Sequence, residues 1–134
     1  MTTILIVEDD SKIAHAMSVR LKSLGYSVRV AADAPSALIQ ARKHSPDLVL
    51  LDISLPGGNG FTVAQNLEEH ICDRRIPIIF VTASKQEELK KRASELGASA
   101  FLEKPFSARH LAEAIDHALM QTRGPMEVRK AQRC

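Results

Sequence analysis

The run Leu48-Val49-Leu50-Leu51-Asp52 decides the fold of this chain. Four consecutive apolar residues bounded by turn residues are typical of a central parallel strand, and here the last position is a carboxylate. Open α/β sheets place their chemistry at the carboxyl ends of their strands. Asp52 is therefore a candidate functional residue, although a single acid at a strand end can equally cap the following loop.

Similar apolar runs alternate with helical patterns on both sides of this strand. The sequence predicts further strands at residues 3–7, 26–31, 77–82 and 100–102, and helices at residues 11–24, 33–44, 59–70, 86–96 and 107–121. Strands that alternate with helices at short spacing imply right-handed βαβ crossovers and a parallel sheet. The predicted fold class is thus α/β, with three layers and helices on both faces of a five-stranded sheet.

Length and composition favour one ordinary globular domain. The chain has 134 residues, of which 45% are hydrophobic and 25% charged. Because no apolar run approaches the ~20 residues of a membrane span and no basic leader precedes the first strand, we expect a cytoplasmic protein without membrane contact. The two cysteines, Cys72 and Cys134, stand far apart and suggest free thiols rather than a disulfide.

The positive charge of the chain is concentrated at its end. Residues 123–134 contain four basic residues and one acid, which leaves a net charge of −1 for residues 1–122. We therefore predict a folded domain at 1–122 that does not bind nucleic acid directly, followed by a basic tail or linker remnant at 123–134.

Polar groups follow four of the predicted strands. Glu8 and Asp9 follow the first, Asp52 ends the third, Thr82 ends the fourth and Lys104 follows the fifth. In a parallel sheet these ends share one edge, so the five side chains are expected to converge. Taken singly, each could instead favour a helix start, cap a helix or lie in solvent.

Such a cluster matches the needs of phosphoryl transfer. Clustered carboxylates repel one another unless a cation neutralises them, and oxygen ligands without His or Cys favour Mg²⁺. A carboxylate beside Mg²⁺ can attack phosphorus and form an acyl phosphate. A lysine ammonium and a threonine hydroxyl could then stabilise the charge on the transferred group.

At these motifs the sequence resembles the receiver domains of two-component response regulators, over about residues 3–121. The matching pieces are Ile-Leu-Ile-Val-Glu8-Asp9-Asp10, Leu-Leu-Asp52-Ile-Ser-Leu-Pro-Gly-Gly-Asn-Gly, Phe-Val-Thr82-Ala and Phe101-Leu-Glu-Lys104-Pro105-Phe106. The resemblance implies a flavodoxin-like (βα)5 fold, doubly wound, with the strand order 2-1-3-4-5.

The resemblance also implies a role for each site residue. Asp52 would accept the phosphoryl group, and Thr82 and Lys104 would contact it. The Mg²⁺ ligands would be Asp9 and Asp52 directly, Glu8 through a metal-bound water, and the backbone carbonyl of Ser54. The bond between Lys104 and Pro105 would be a cis peptide, which X-Pro bonds tolerate best.

A switch and its partners are likewise implied. Thr82 and the aromatic Phe101 would couple phosphorylation to the face formed by the fourth helix, the fifth strand and the fifth helix. The donor would be a sensor histidine kinase or a histidine phosphotransfer protein. A downstream output protein or domain would respond to the phosphorylated state. Such a domain phosphorylates and dephosphorylates its own aspartate and turns over no external substrate.

One departure from the family bears on the output. Receivers that dimerise to drive winged-helix DNA binding usually have two Asp after Gly-Ala, whereas Gly97-Ala98 is followed here by Ser99-Ala100. We therefore expect a monomer or a weak phosphorylation-dependent dimer, either stand-alone or part of a larger regulator. Ser54 and Ser84 occupy positions that tune the lifetime of the phosphoryl group in the family.

Other functions fit the sequence less well. A haloacid-dehalogenase-type phosphatase also uses a strand-end Asp with Mg²⁺, but it needs a second Asp where Ser54 stands. A flavodoxin-like cofactor binder would need a phosphate-binding loop where Glu8 and Asp9 would repel the phosphate. A degenerate receiver that serves only as an interaction module would not need the complete set of five polar groups.

Overall fold

The structure is a computed structural model that describes residues 2–55, 59–70, 76–83 and 86–122. Five strands alternate with five helices, as predicted. Their bounds are β1 (Thr3–Val7), α1 (Ser11–Ser23), β2 (Ser27–Ala31), α2 (Ala34–His44), β3 (Leu48–Asp52), α3 (Gly60–His70), β4 (Ile78–Thr82), α4 (Glu87–Glu95), β5 (Ala100–Glu103) and α5 (Ala108–Thr122). Several predicted residues lie outside the described ranges, namely Pro56, Gly57, Gly58, Cys72, Ser84 and the tail at 123–134.

The five strands form one parallel sheet in the order β2-β1-β3-β4-β5. This arrangement confirms the predicted fold class and strand order. The register places Val7 beside Leu51, Asp52 beside Val81 and Thr82 beside Glu103. The carboxyl ends of β1, β3, β4 and β5 therefore lie next to one another at one edge of the sheet.

The central strand β3 is buried along its whole length, which explains its uninterrupted apolar sequence. Helices α1 and α5 cover one face of the sheet through residues such as Leu21 and Ile115, and α2, α3 and α4 cover the other through residues such as Ala37 and Phe61. At the sheet edge, β2 exposes the consecutive residues Arg29 and Val30, so both of its faces are partly open to solvent there.

Local signals set the helix ends. Asp10 caps α1, since its side chain accepts hydrogen bonds from the backbone N–H groups of Lys12 and Ile13. The residue that caps α1 is therefore Asp10, the acid directly after Glu8 and Asp9. Gly25 follows the end of α1 with φ +94°, a backbone conformation that only glycine adopts without strain. None of the described helices is both long and apolar enough to cross a membrane.

Candidate functional site

Three carboxylates meet at the carboxyl edge of the sheet. Glu8, Asp9 and Asp52 each place a carboxylate oxygen within 4.8 Å of the others. Glu8 and Asp52 are buried, with 4% and 7% of their surface exposed, whereas Asp9 is exposed. Two acids held in the interior and one that faces solvent form an open cluster, which leaves room for a further ligand.

Lys104 supplies the positive charge of this cluster. Its Nζ lies 2.6 Å from Oε1 of Glu8 and 3.4 Å from Oδ2 of Asp52. Burial by itself would lower the pKa of Lys104, but the hydrogen bond that Lys104 donates to Glu8 and the attraction of both carboxylates outweigh burial and raise it. Lys104 therefore stays protonated and partly compensates the buried acids.

Backbone contacts fix the orientation of Asp52. The N–H of Ser54 donates to Oδ1 of Asp52 at 3.1 Å, while Lys104 approaches the other oxygen. The strand continues to pair beyond Asp52, because the N–H of Ile53 donates to the carbonyl of Val81 at 3.1 Å. Each oxygen of the Asp52 carboxylate therefore has a hydrogen-bond partner, and these two contacts fix its position at the edge of the sheet.

Thr82 and Phe101 lie on the strands that flank this edge. Thr82 is 2% exposed, and its carbonyl accepts from the N–H of Lys104 at 2.7 Å. Phe101 is partly buried and packs against the core on the same face as α3 and α4. The peptide bond between Lys104 and Pro105 is cis. The structure thus brings the five strand-end groups to one edge, while the switching roles of Thr82 and Phe101 stay predictions.

Gly60 is a structural requirement of the site that sequence reasoning missed. Its N–H donates to the carbonyl of Ile53 at 2.7 Å. A Cβ built on Gly60 would run into the carbonyl oxygen of Asp52 and lie 2.8 Å from Cα of Ile53. The signal in the sequence is a glycine at the first residue of a helix, where it gives no help to helix formation. Its absent side chain lets α3 begin directly against the backbone of Asp52.

Gly60→Ala is therefore expected to lower the free energy of unfolding by about 2 kcal/mol, because the added methyl group meets backbone that must shift. Urea denaturation measures this change. Gln65→Ala, an exposed substitution in the same helix, should alter the free energy by less than about 0.5 kcal/mol. Equal stability of Gly60→Ala and the wild type would contradict the close approach of α3 to Asp52.

A groove that the sequence did not predict opens beside the acids. It has a volume of about 700 Å³. Its lining consists of Asp9, Ile53, Ser54, Leu55, Asn59, Phe61, Glu88, Leu89 and Arg92. The groove thus runs from the acidic cluster to helix α4, and both polar and apolar groups line it.

Arg92 reaches across from α4 to α3 in this groove. Its Cζ lies 4.9 Å from the centroid of the Phe61 ring, and that ring packs at 5.0 Å between centroids against Phe80 of β4. A cation over an aromatic face is worth about 0.5–1 kcal/mol at an exposed position. No local pattern predicted this contact, because the two residues lie in different helices.

The donor set fits a hard divalent cation. All three clustered side chains offer carboxylate oxygens, and the cluster contains no sulfur or imidazole ligand. Asp9 is open to solvent, as a ligand of a partly hydrated ion should be. Ser54 is also exposed and follows Asp52 by two residues, although the part of its carbonyl in metal binding stays a prediction.

Comparison with known proteins identifies a family and several relatives that this chain matches. Residues 4–116 match the response regulator receiver domain family. The chain is 39% identical over 115 residues to the sensory transduction protein RegX3 of Mycolicibacterium smegmatis, and 38% identical over 125 residues to the phosphate regulon transcriptional regulatory protein PhoB of Escherichia coli. These matches cover 86% and 93% of this chain but only 49% and 54% of the relatives, so the chain spans about half of their length.

A solved structure agrees with the sequence relatives. The CheY-like response regulator receiver domain protein from Methanospirillum hungatei superimposes with a TM-score of 0.83 at 29% sequence identity. The match covers 92% of this chain and 97% of that one. Sequence and fold therefore agree over the region that carries the acidic edge.

Proposed function

The chain belongs to the family of response regulator receiver domains, and we propose that it signals by taking a phosphoryl group onto Asp52 from a histidine kinase or a histidine phosphotransfer protein. The observation that carries this proposal is the convergence of Glu8, Asp9, Asp52 and Lys104 at one sheet edge. One oxygen of Asp52 accepts from a backbone N–H and the other faces Lys104, which orients the carboxylate for attack.

Mg²⁺ is the proposed cofactor, held by Asp9, Asp52 and the carbonyl of Ser54, with Glu8 acting through a bound water. When bound, the ion would neutralise phosphoryl oxygens and offset the repulsion among the acids. Side chains of the protein supply the nucleophile and the second positive charge. Asp52 supplies the nucleophilic oxygen, and Lys104 is placed to exchange its contact with Asp52 for one with the phosphoryl group.

Thr82 and Phe101 are the proposed switch. Thr82 ends β4 beside the strand of Asp52, and Phe101 lies in the neighbouring strand β5. A hydroxyl drawn toward the new dianion would free space for the half-buried ring of Phe101, and this change would alter the α4–β5–α5 face. A difference of a few kcal/mol between the two packings is enough to shift their populations.

The activity is that of a signalling domain. Asp52 would be phosphorylated and dephosphorylated in place, and no external substrate would be turned over. The phosphatase alternative lacks the second acid, because Ser54 occupies that position. A receiver that serves only for interaction would not need a lysine held between two buried acids.

Partners and assembly follow from the same proposal. A donor that carries phosphohistidine would act on the site, and a downstream protein or a further domain would read the altered face. RegX3 and PhoB are about twice as long as the matched region, and PhoB is a transcriptional regulatory protein. We propose a monomer or a weak phosphorylation-dependent dimer in the cytoplasm, in which the receiver itself does not contact nucleic acid.

The test is phosphorylation by a small-molecule donor. Acetyl phosphate with Mg²⁺ is expected to add one phosphoryl group to the wild-type chain, as measured by intact-protein mass spectrometry. Chelation of the metal with EDTA should reduce the phosphorylated fraction to background, because the clustered acids then repel the anionic donor. A chain that gains no phosphoryl group with Mg²⁺, or gains it equally in EDTA, would contradict the proposal.

A further inference from the structure

The outer edge of β2 has backbone groups that the sheet does not use. Among the described strands, β2 lies at the end of the sheet and pairs only with β1. The N–H of Glu8 donates to the carbonyl of Ala31 at 3.0 Å, so the odd-numbered residues of β2 bond to β1. The backbone N–H and C=O groups of Val28 and Val30 therefore point away from the sheet, where a further strand can pair with them.

The two faces of this edge differ in chemistry. Arg29 is exposed and pairs in register with Leu5, which packs in the core under α2. Val30 is 43% exposed and pairs with Ile6, which packs in the core under α1 and α5. Val28 lies half-buried on the same face as Val30. One face of the β2 edge is therefore cationic and the other is apolar.

The cationic face continues onto α2. The pKa of His44 is lowered, first by desolvation and then by the charges of Arg29 and Lys43, which indicates that both cations lie near the imidazole. The two acids nearest in sequence, Asp33 and Asp47, already accept hydrogen bonds from backbone N–H groups. Within the described ranges, no carboxylate lies at ion-pair distance from Arg29 or Lys43. The positive charge of this face is therefore available to an acidic partner.

We propose that the outer edge of β2 binds an extended segment of a partner protein in which acidic and apolar residues alternate. The segment forms a sixth strand beside β2, held by main-chain hydrogen bonds to Val28 and Val30. Successive side chains of a strand point to opposite faces, so the acidic residues lie beside Arg29 and the apolar residues beside Val30. This inference goes beyond the phosphorylation of Asp52 and does not depend on it.

Other occupants match only part of this edge. Two copies of β2 paired about Arg29 would bring like charges together across the strands, which destabilises the pair. Residues 27–46 contain no Phe, Tyr or Trp, the side chains with which proteins commonly anchor in a membrane interface or stack on bases. An acidic polypeptide with alternating apolar residues is the occupant that satisfies the backbone groups and both faces.

The experiment is an NMR titration of the full isotope-labelled chain with two synthetic peptides of about eight residues and equal composition. Glutamate and valine alternate singly in one peptide and come in successive pairs in the other. The singly alternating peptide is expected to bind at least about tenfold more tightly, because only its pattern places each residue type on the matching face. It should also slow hydrogen exchange of the Val28 and Val30 amides at least about tenfold, since both amides gain a partner.

Two variants separate the side-chain contact from the backbone contact. Arg29→Glu, a change at an exposed position, should weaken binding of the alternating peptide at least about tenfold through loss of a charge-assisted contact. Val30→Pro should abolish binding, because proline lacks the outward N–H, while the bonds between β1 and β2 are kept. Lys90→Glu, the same charge reversal on α4 near the β5 end of the sheet, should match the wild type within about twofold.

Contrary results overturn the proposal in distinct ways. Equal affinity for the two peptides would show charge attraction without strand pairing. Absence of peptide binding, unchanged binding by Arg29→Glu or Val30→Pro, or amide protection away from β2 would each remove the site. If neither peptide binds and Arg29→Glu abolishes binding to phosphatidylglycerol vesicles or to duplex DNA, the edge belongs to a membrane or nucleic-acid contact instead. None of these outcomes bears on phosphorylation of Asp52.

Discussion

Asp52→Asn is expected to abolish phosphorylation of the chain by acetyl phosphate and Mg²⁺, reducing it to the background of the uncatalysed mixture. The amide lacks the nucleophilic oxygen that would form the acyl phosphate. The fold should survive, because the carbonyl oxygen of an Asn side chain can still accept the N–H of Ser54, which now donates to Asp52 at 3.1 Å. Intact mass after incubation with the donor gives the phosphorylated fraction.

A second readout separates loss of chemistry from loss of folding. Beryllofluoride with Mg²⁺ should raise the melting temperature of the wild type and leave that of Asp52→Asn unchanged, since the mimic needs the carboxylate. Asp116→Asn is the matched control, because this exposed acid lies on α5 and contacts Tyr26 rather than the acidic edge. Phosphorylation of Asp52→Asn at the wild-type rate would remove Asp52 as the acceptor.

Lys104→Met is expected to destabilise the metal-free chain by about 3 kcal/mol, near the lower end of the cost of breaking one side of a buried ion pair. The side chain of Glu8 is 3% exposed, so its charge would be left without compensation. Because 17% of the Lys104 side chain is exposed, water can reach the position of the lost ammonium and solvate the remaining carboxylates. This solvation keeps the loss of stability near the lower end of the range. Urea denaturation in EDTA measures the change.

Divalent metal should reverse part of this defect. Mg²⁺ is expected to stabilise Lys104→Met more than the wild type, because the ion would take over the neutralisation of the acids. Lys91→Met removes the same charge from an exposed position on α4 and should cost less than about 0.5 kcal/mol in either condition. A loss of equal size in EDTA and in Mg²⁺ would show that Lys104 does not compensate the metal-binding acids.

Much of the fold could be predicted because its signals are local. The apolar run of β3, the period of α5 and the Asp33-Pro35 start of α2 each act over a few residues, and the structure contains all three elements. Predicted bounds were off by a residue or two, for example where α5 begins at Ala108 rather than at Ser107, whose hydroxyl accepts from the N–H of His110.

For the site, the sequence predicted which residues lie at the carboxyl edge of the sheet but not the distances between their side chains. A parallel sheet brings the carboxyl ends of its strands to one edge, so Glu8, Asp52 and Lys104 were expected to lie there. Which acid Lys104 would approach more closely was not predictable. That choice depends on side-chain packing between residues 96 positions apart, where Nζ comes to 2.6 Å from Glu8.

The sequence by itself determined the order of the elements, the parallel sheet and the identity of the strand-end groups, because hydrophobic period and caps act over a few residues and short βαβ connections require parallel strands. Only the tertiary structure decided the geometry around those groups. The absent side chain of Gly60 matters because α3 begins against the backbone of Asp52. Arg92 faces Phe61 because two helices from distant parts of the chain pack on the same face of the sheet. Such contacts depend on the arrangement of whole elements in space, which no short stretch of sequence encodes.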